Sequence, residues 1–183
     1  MVSLETPVVD FGIPAPEFSL PGTDGNVWSL EQCRGANGLL VMFICNHCPY
    51  VKAILSRIVR DAAELKELGI GTVAIMSNDP LDYPEDSFDN MTRIAHTFEF
   101  SFPYLFDESQ QIAKNYGAVC TPDFFGFNAD LELQYRGRLD ESGKSAASAD
   151  SRRELFEAMK SIAETGTGPK LQTPSIGCSI KWK

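Results

Sequence analysis

The chain has 183 residues and no apolar run near the roughly 18–20 residues that span a bilayer. Residues 1–10 hold neither a basic stretch nor an apolar core, so they do not read as a secretory signal. Positive charge is scarce: 16 Lys and Arg face 25 Asp and Glu, a net charge of -9. That balance disfavours nucleic acid and anionic membranes as partners, because phosphate binding needs clustered cations. There are only two histidines, His47 and His96, and no second CxxC or HxxxH, so a zinc site lacks ligands. Five cysteines are too few, and odd in number, for a disulfide scaffold. With no export signal the expected compartment is the cytoplasm, where thiols stay reduced unless they are catalytic or metal-bound.

What is present reads as one folded domain over residues 1–183, with an irregular C-terminal tail over 166–183. Hydrophobic residues make up 43% and charged residues 22%, which argues against global disorder. Asp24-Gly25 between two short extended runs reads as a hairpin. The continuous apolar run 38–44 fits a strand covered on both faces. Val51, Ile54, Leu55, Ile58, Ala62, Leu65 and Leu68 recur at spacings of three and four, the stripe of an amphipathic helix that Gly69 stops. Residues 70–76 form a second buried strand, so 38–76 make a βαβ unit with parallel strands.

Further on, a helix is expected over 84–98 and a short strand over 102–106. Asp107 and Gln110 read as a capping pair opening a third helix, which Gly117 ends. An antiparallel hairpin over 124–138 and a last helix over 152–165 complete the pattern. The fold class is therefore α/β: a central mixed sheet flanked by helices, with an N-terminal hairpin.

The chemistry concentrates in Cys45-Asn46-His47-Cys48, between the first buried strand and the first long helix. A CxxC beside a βαβ unit is a redox signature. Cysteines three apart in a helical first turn are close enough to bridge. The helix N-terminus offers unpaired N–H groups and partial positive charge that stabilise a thiolate, the attacking species in disulfide exchange. Cys45 should sit at the exposed end of the strand and be the low-pKa nucleophile. Pro49 disfavours a helical Cys48, so either the first turn is distorted or the regular helix begins near Cys48.

The segment 43–50, FICNHCPY, with 120–125, CTPDFF, resembles the thioredoxin-like redoxins. It is similar in particular to the bacterial branch carrying the AhpC/TSA label, as is the ending PSIGCSIKWK. The resemblance implies a thioredoxin fold, a redox-active Cys45–Cys48 pair and a cis peptide at Thr121-Pro122. It implies that Asn46, Thr121 and Pro122 bind substrate, with the residue before the cis-proline offering its backbone to a substrate peptide. Two departures stand out. Leu39 and Ile44 fill the positions where thioredoxins carry a buried acid and a tryptophan, so proton transfer falls to His47, water or another group. The peroxidatic pattern PxxxTxxC is absent before either cysteine.

The expected function is thiol–disulfide exchange in redox homeostasis: Cys45 attacks, Cys48 resolves and His47 tunes the thiolate. Partners are protein or small-molecule disulfides and thiols with an unnamed electron donor, and no cofactor is required. The alternatives are a thiol-dependent peroxidase and a copper-delivery module on the same fold, the latter disfavoured by CxxC rather than CxxxC spacing. Cys120 offers an alternative disulfide partner or a packed thiol; Cys178, a resolving thiol on a folded-back tail or a structural one. Cys33 reads as structural, His96 as a surface or core histidine, and Gly143-Lys144-Ser145 as a polar loop lacking the glycine of a P-loop.

Overall fold

The computed structural model describes residues 3–7, 9–148 and 150–183. Its short first strand, β1 (Ser3–Glu5), precedes the expected hairpin of β2 (Ser19–Pro21) and β3 (Val27–Ser29). Asp24 closes that hairpin by accepting from Asn26 N and Trp28 Nε1. Ser29 and Gln32 exchange a reciprocal capping pair that starts α1 (Leu30–Cys33).

The central sheet is built on β4 (Gly38–Phe43), every residue of which is buried. Its parallel neighbours are β5 (Ile70–Met76) and, beyond it, β6 (Tyr104–Phe106). On the other side run β8 (Asp123–Phe127) and β9 (Leu133–Tyr135), both antiparallel to their neighbours. The order is β6-β5-β4-β8-β9, a mixed sheet. Strand geometry sends alternate side chains to opposite faces. Leu40 and Met42 pack under α2 (Pro49–Glu67) and α5 (Glu154–Thr165); Leu39, Val41 and Phe43 meet Phe18, Tyr116, Phe125 and Phe127 on the other face.

Helix α2 buries the predicted stripe from Val51 to Leu65, with Leu68 half-buried as its C-cap, and Pro49 occupies its first turn, where the missing N–H costs nothing. The helix expected over 84–98 is interrupted. A 3₁₀ turn over Pro84–Asp86 is followed by Ser87 in extended conformation, whose hydroxyl caps α3 (Phe88–Thr97). The expected Asp107–Gln110 capping pair does not form. Asp107 accepts from Ala113 N and Ser77 Oγ, while Gln110 adopts a left-handed backbone before α4 (Gln111–Tyr116) and turns its amide to the Ser77 and Lys181 carbonyls.

The irregular tail is corrected most. Residues 176–179 form β10 (Ile176–Ser179), which pairs with β1 on one side and β7 (Cys120–Thr121) on the other. Further anchors run along the segment. Thr6 N donates to Ser175 O, Ile180 N to Val119 O, Lys181 N to Asn78 Oδ1, and Lys183 N to Gln110 Oε1. Backbone pairing on both edges holds this segment, and backbone pairing leaves no hydrophobic period to read. Gly177 permits the close approach: a Cβ there would collide with the Thr121 carbonyl oxygen. No described helix is long and apolar enough to cross a membrane.

Gly177→Ala should therefore lower stability by roughly 1–3 kcal/mol, the usual cost of overpacking. At about 2–4 °C per kcal/mol for a chain of this size, thermal denaturation followed by circular dichroism will show it. An unchanged Tm would mean that β10 is not held tightly against β7.

Candidate active site

The two cysteines are brought together where β4 ends and α2 begins. Cys48 is the N-cap of α2, with φ -66° and ψ 124°, so the regular helix starts at Pro49. The two thiols thus do not share a helical turn; Cys45 lies on the extended segment before it. Cys45 Sγ is 3.2 Å from Thr121 Oγ1, and Cys48 Sγ is 3.2 Å from the Thr121 carbonyl oxygen. The Thr121-Pro122 peptide is cis, as the resemblance implies. Cys45 is not exposed as expected: it is 2% accessible and Cys48 0%.

The segment between them is held by a residue that sequence reasoning missed. Asp86, fully buried, accepts from Asn46 N at 2.7 Å and His47 N at 3.1 Å through Oδ1. Its Oδ2 meets His47 Nδ1 at 2.6 Å and accepts from Asn78 Nδ2 at 2.8 Å. Burial alone would raise the Asp86 pKa, but the hydrogen bonds from His47, Asn78 and Asn46 outweigh it and hold the carboxyl below its usual range. An ionised carboxylate only accepts, so His47 Nδ1 carries the proton and donates. His47 stacks on Tyr83 with ring centroids 4.9 Å apart, and its Nε2 is buried with no protein hydrogen-bond partner among the described residues. The interruption between the 3₁₀ turn and α3 is what brings Asp86 here, and no motif marks it.

Asn46 is not free to bind substrate. Its side chain donates to Glu85 O and accepts from the Tyr104 hydroxyl, tying the loop to β6. The backbone edge of Thr121 is likewise occupied, because Thr121 pairs with Cys178 of β10.

Protonation of the pair is shared. The Cys45 thiol donates to the Cys48 sulfur, and chiefly for this reason Cys48 is pulled down to about 5, against the opposing effect of burial. Cys178 and the Val51 N–H add to the effect. Cys45 is pushed well above its ordinary value by burial, by the bond to Cys48 and by the Asp86 charge. The expectation of a low-pKa Cys45 is reversed in this state: the negative charge rests on the sulfur at the helix N-terminus. With the proton on Cys48 instead, the Thr121 carbonyl is its acceptor.

The remaining candidates separate clearly. Cys178 Sγ lies 2.7 Å from Cys48 Sγ. Cys120 is buried with its sulfur 3.8 Å from Pro122 O, a packed thiol raised by burial. Cys33 is buried at the end of α1 and burial pushes it up to about 12. His96 is exposed in the last turn of α3. Arg136 and Arg138 are committed elsewhere, to Asp123 and Glu154. A His47 ring nitrogen, Cys45 Sγ and an Asp86 oxygen lie within 4.8 Å of one another. The carboxylate is already saturated by four donors, which disfavours the copper-delivery alternative.

Cys45 reaches outward through a cavity of about 220 Å³ lined by Ile44, Val51, Lys52, Leu55, Ile94, Phe98 and Tyr104. A second apolar groove of about 190 Å³ runs past Pro122, Tyr50 and Ile176, but neither redox sulfur lines it.

Comparison with known proteins gives the fold and the family. A crystal structure of an uncharacterized conserved protein from Geobacillus kaustophilus superposes with a TM-score of 0.94 at 44% identity, covering 100% of this chain and 97% of that one. A thiol:disulfide interchange protein of the thioredoxin family from Chlorobium tepidum TLS gives a TM-score of 0.64 at 17% identity, covering 85% and 99%, and shows the thioredoxin fold. Peroxiredoxin Bcp of Escherichia coli (strain K12) is 25% identical over 130 residues, 71% of this chain and 78% of the relative. Residues 11–137 match the AhpC/TSA family. The chain belongs to the AhpC/TSA family of thioredoxin-like redoxins.

Proposed function

We propose that this redox enzyme is a thiol–disulfide oxidoreductase whose working pair is Cys45 and Cys48. The observation that supports it most is the pair itself: two sulfurs at the start of α2, each 3.2 Å from an oxygen of Thr121. Cys45 is the sulfur that meets substrate, because it lines the outward cavity while Cys48 is enclosed. As Cys45 attacks a substrate sulfur, its proton passes to the Cys48 thiolate along their hydrogen bond. The substrate S–S bond breaks and one substrate thiolate leaves. That thiolate takes the proton from Cys48, Cys48 attacks the Cys45 sulfur, and the second substrate thiolate departs. The pair ends as a disulfide and two electrons have passed to the substrate; an external dithiol restores the pair.

His47, whose ring Asp86 fixes, has a ring nitrogen within 4.8 Å of Cys45 Sγ and is the polar side chain that tunes the thiolate. The mostly apolar cavity suits a small disulfide or one on a protruding loop, and the cytoplasm is the compartment where a reduced pair would be maintained.

A second reading, peroxide reduction, is favoured by the Thr121 hydroxyl beside Cys45. Against it, no arginine among the described residues is hydrogen-bonded to either sulfur, and Arg136 and Arg138 are tied to carboxylates. The activities are separable by stopped-flow. Reduction of a small disulfide should far exceed peroxide consumption by the reduced protein; a peroxide rate far above that of a free thiol of matched pKa would reverse the choice.

Two further outcomes are expected. In a pH titration of ultraviolet thiolate absorbance, one thiolate should be lost as pH falls through about 5. In Cys45→Ala that midpoint should rise toward about 8.5, the ordinary thiol value, because the largest stabilising donor is gone. A midpoint that stays low in this variant would make the helix N-terminus the main cause. Separately, His47→Phe should make the potential more negative by about 30 mV, which corresponds to ~1.4 kcal/mol in a two-electron couple. Redox titration in glutathione buffers checks it, and an unchanged potential would remove the imidazole from thiolate stabilisation.

A further inference from the structure

The CxxC pair has a third sulfur against it. Cys178 Sγ is 2.7 Å from Cys48 Sγ, inside ordinary non-bonded contact, which is roughly 3.5–4.0 Å even between carbons. It is brought there by backbone, not by chance packing of a mobile end. β10 runs antiparallel to β7 with Cys178 opposite Thr121 and Ser179 opposite Cys120. Gly177 allows the two backbones to touch, and Ser175 Oγ donates to Pro122 O. Lys181, whose Nζ bonds Ser179 O and Oγ, places a cation close enough to Cys178 to favour its ionisation. The strand therefore lies along the edge of Thr121, where a substrate peptide was expected, and presents a cysteine to the buried member of the redox pair.

We propose that Cys178 is a third redox-active residue that moves the disulfide inward, from Cys45–Cys48 to Cys48–Cys178. The proposal rests on the Cys45–Cys48 reading above. After substrate reduction the Cys178 sulfur attacks Cys48; the Cys48–Cys178 bond forms, the Cys45–Cys48 bond breaks, and the departing Cys45 sulfur takes the Cys178 proton. The step is an exchange with no net electron transfer and needs no additional oxidant. Its effect is to return Cys45, the sulfur on the substrate cavity, to the thiol state while the oxidising equivalent is held on two enclosed sulfurs. Attack of the Cys45 thiolate on Cys48 moves the bridge back to Cys45–Cys48 and releases Cys178, and an external dithiol reaching Cys45 through the cavity then reduces the pair and closes the cycle.

Burial and the neighbouring Cys48 charge hold the Cys178 thiol up at about 12 in the reduced protein. Formation of the Cys45–Cys48 disulfide removes that charge, so Cys178 becomes easier to ionise when its attack is required. Cys120, the other thiol on this strand pair, points to Pro122 O and takes no part.

The test is disulfide mapping of the full-length protein. Trypsin leaves Cys45 and Cys48 together in the peptide 35–52 and Cys178 in 171–181, so a bridge within the CxxC stays in one peptide while a bridge to Cys178 joins two. Protein oxidised with diamide, quenched in acid and alkylated in denaturant should yield both species from the wild type. The Cys45→Ser variant should yield the joined pair, with alkylation of Cys178 reduced at least tenfold relative to the reduced sample. This variant leaves Cys178 and β10 intact. A wild type that gives only the bridge within 35–52, together with a Cys45→Ser protein that keeps Cys48 and Cys178 alkylatable, overturns the proposal and leaves the oxidoreductase reading standing. If no bridge within 35–52 forms in the wild type or in Cys178→Ser, the oxidoreductase reading itself fails.

Discussion

The loop that carries Cys45 and Cys48 depends on one buried carboxylate. Asp86 has no exposed surface, yet its two oxygens take four hydrogen bonds, two of them from the backbone between the cysteines. Burying a charge costs several kcal/mol unless it is paired and fully hydrogen-bonded. Here the compensation comes from the CxxC loop itself, so the carboxylate and the loop geometry hold each other. Removing Asp86 would leave two enclosed N–H groups without acceptors and the His47 ring without its anchor. The negative charge also acts against the chemistry, since it raises Cys45. The helix N-terminus and the partner thiols must outweigh it, and they do so at Cys48.

A second constraint is the C-terminal strand. In an open redoxin site the backbone beside the cis-proline would be available to an extended peptide by β-augmentation. Here β10 fills that edge, and its neighbours tie it to Asn78, Asp79 and Gln110. These are the same loops that support Asp86 and His47, since Asn78 bonds Asp86 on one side and the Lys181 backbone on the other. Cover and CxxC loop therefore form one hydrogen-bonded unit, and the cavity at Cys45 lies beside it.

Much of this was legible in the chain. The strands at 38–44 and 70–76 and the helix between them carry strong periodicity because they bury whole faces. CxxC at the junction announced the chemistry, and CTP, through its resemblance to known redoxins, announced the opposing loop. What was not legible shares a physical cause. Asp86 lies in a turn about forty residues from the cysteines, and its role is set by where an interrupted helix points a side chain. Ser87 in extended conformation makes that interruption, and a lone serine in a helical pattern carries no such signal. The strand 176–179 is fixed by backbone bonds on both edges and by a glycine at a close approach, none of which leaves a hydrophobic pattern. The enclosure of Cys45 has the same cause, because it comes from α3, the Asp86 turn and Thr121, all distant in sequence.

The site separates two properties that a simple nucleophile combines. Access belongs to Cys45, which lines the cavity but is destabilised as a thiolate by burial and by Asp86. Charge belongs to Cys48, which is enclosed but sits at a helix N-terminus among four donors from Cys45, Cys178 and Val51. A nucleophile needs both, so in the proposed exchange a proton passed from Cys45 to Cys48 puts the charge where substrate can be reached. A thiolate stabilised too well is also a weaker nucleophile, since reactivity falls with pKa. Holding the charge on Cys48 keeps the pair ionised at neutral pH, while the attacking sulfur, Cys45, keeps the basicity that disulfide attack requires. The enclosed position of Cys48 follows from the same logic, because its later target is a sulfur inside the protein and never one outside.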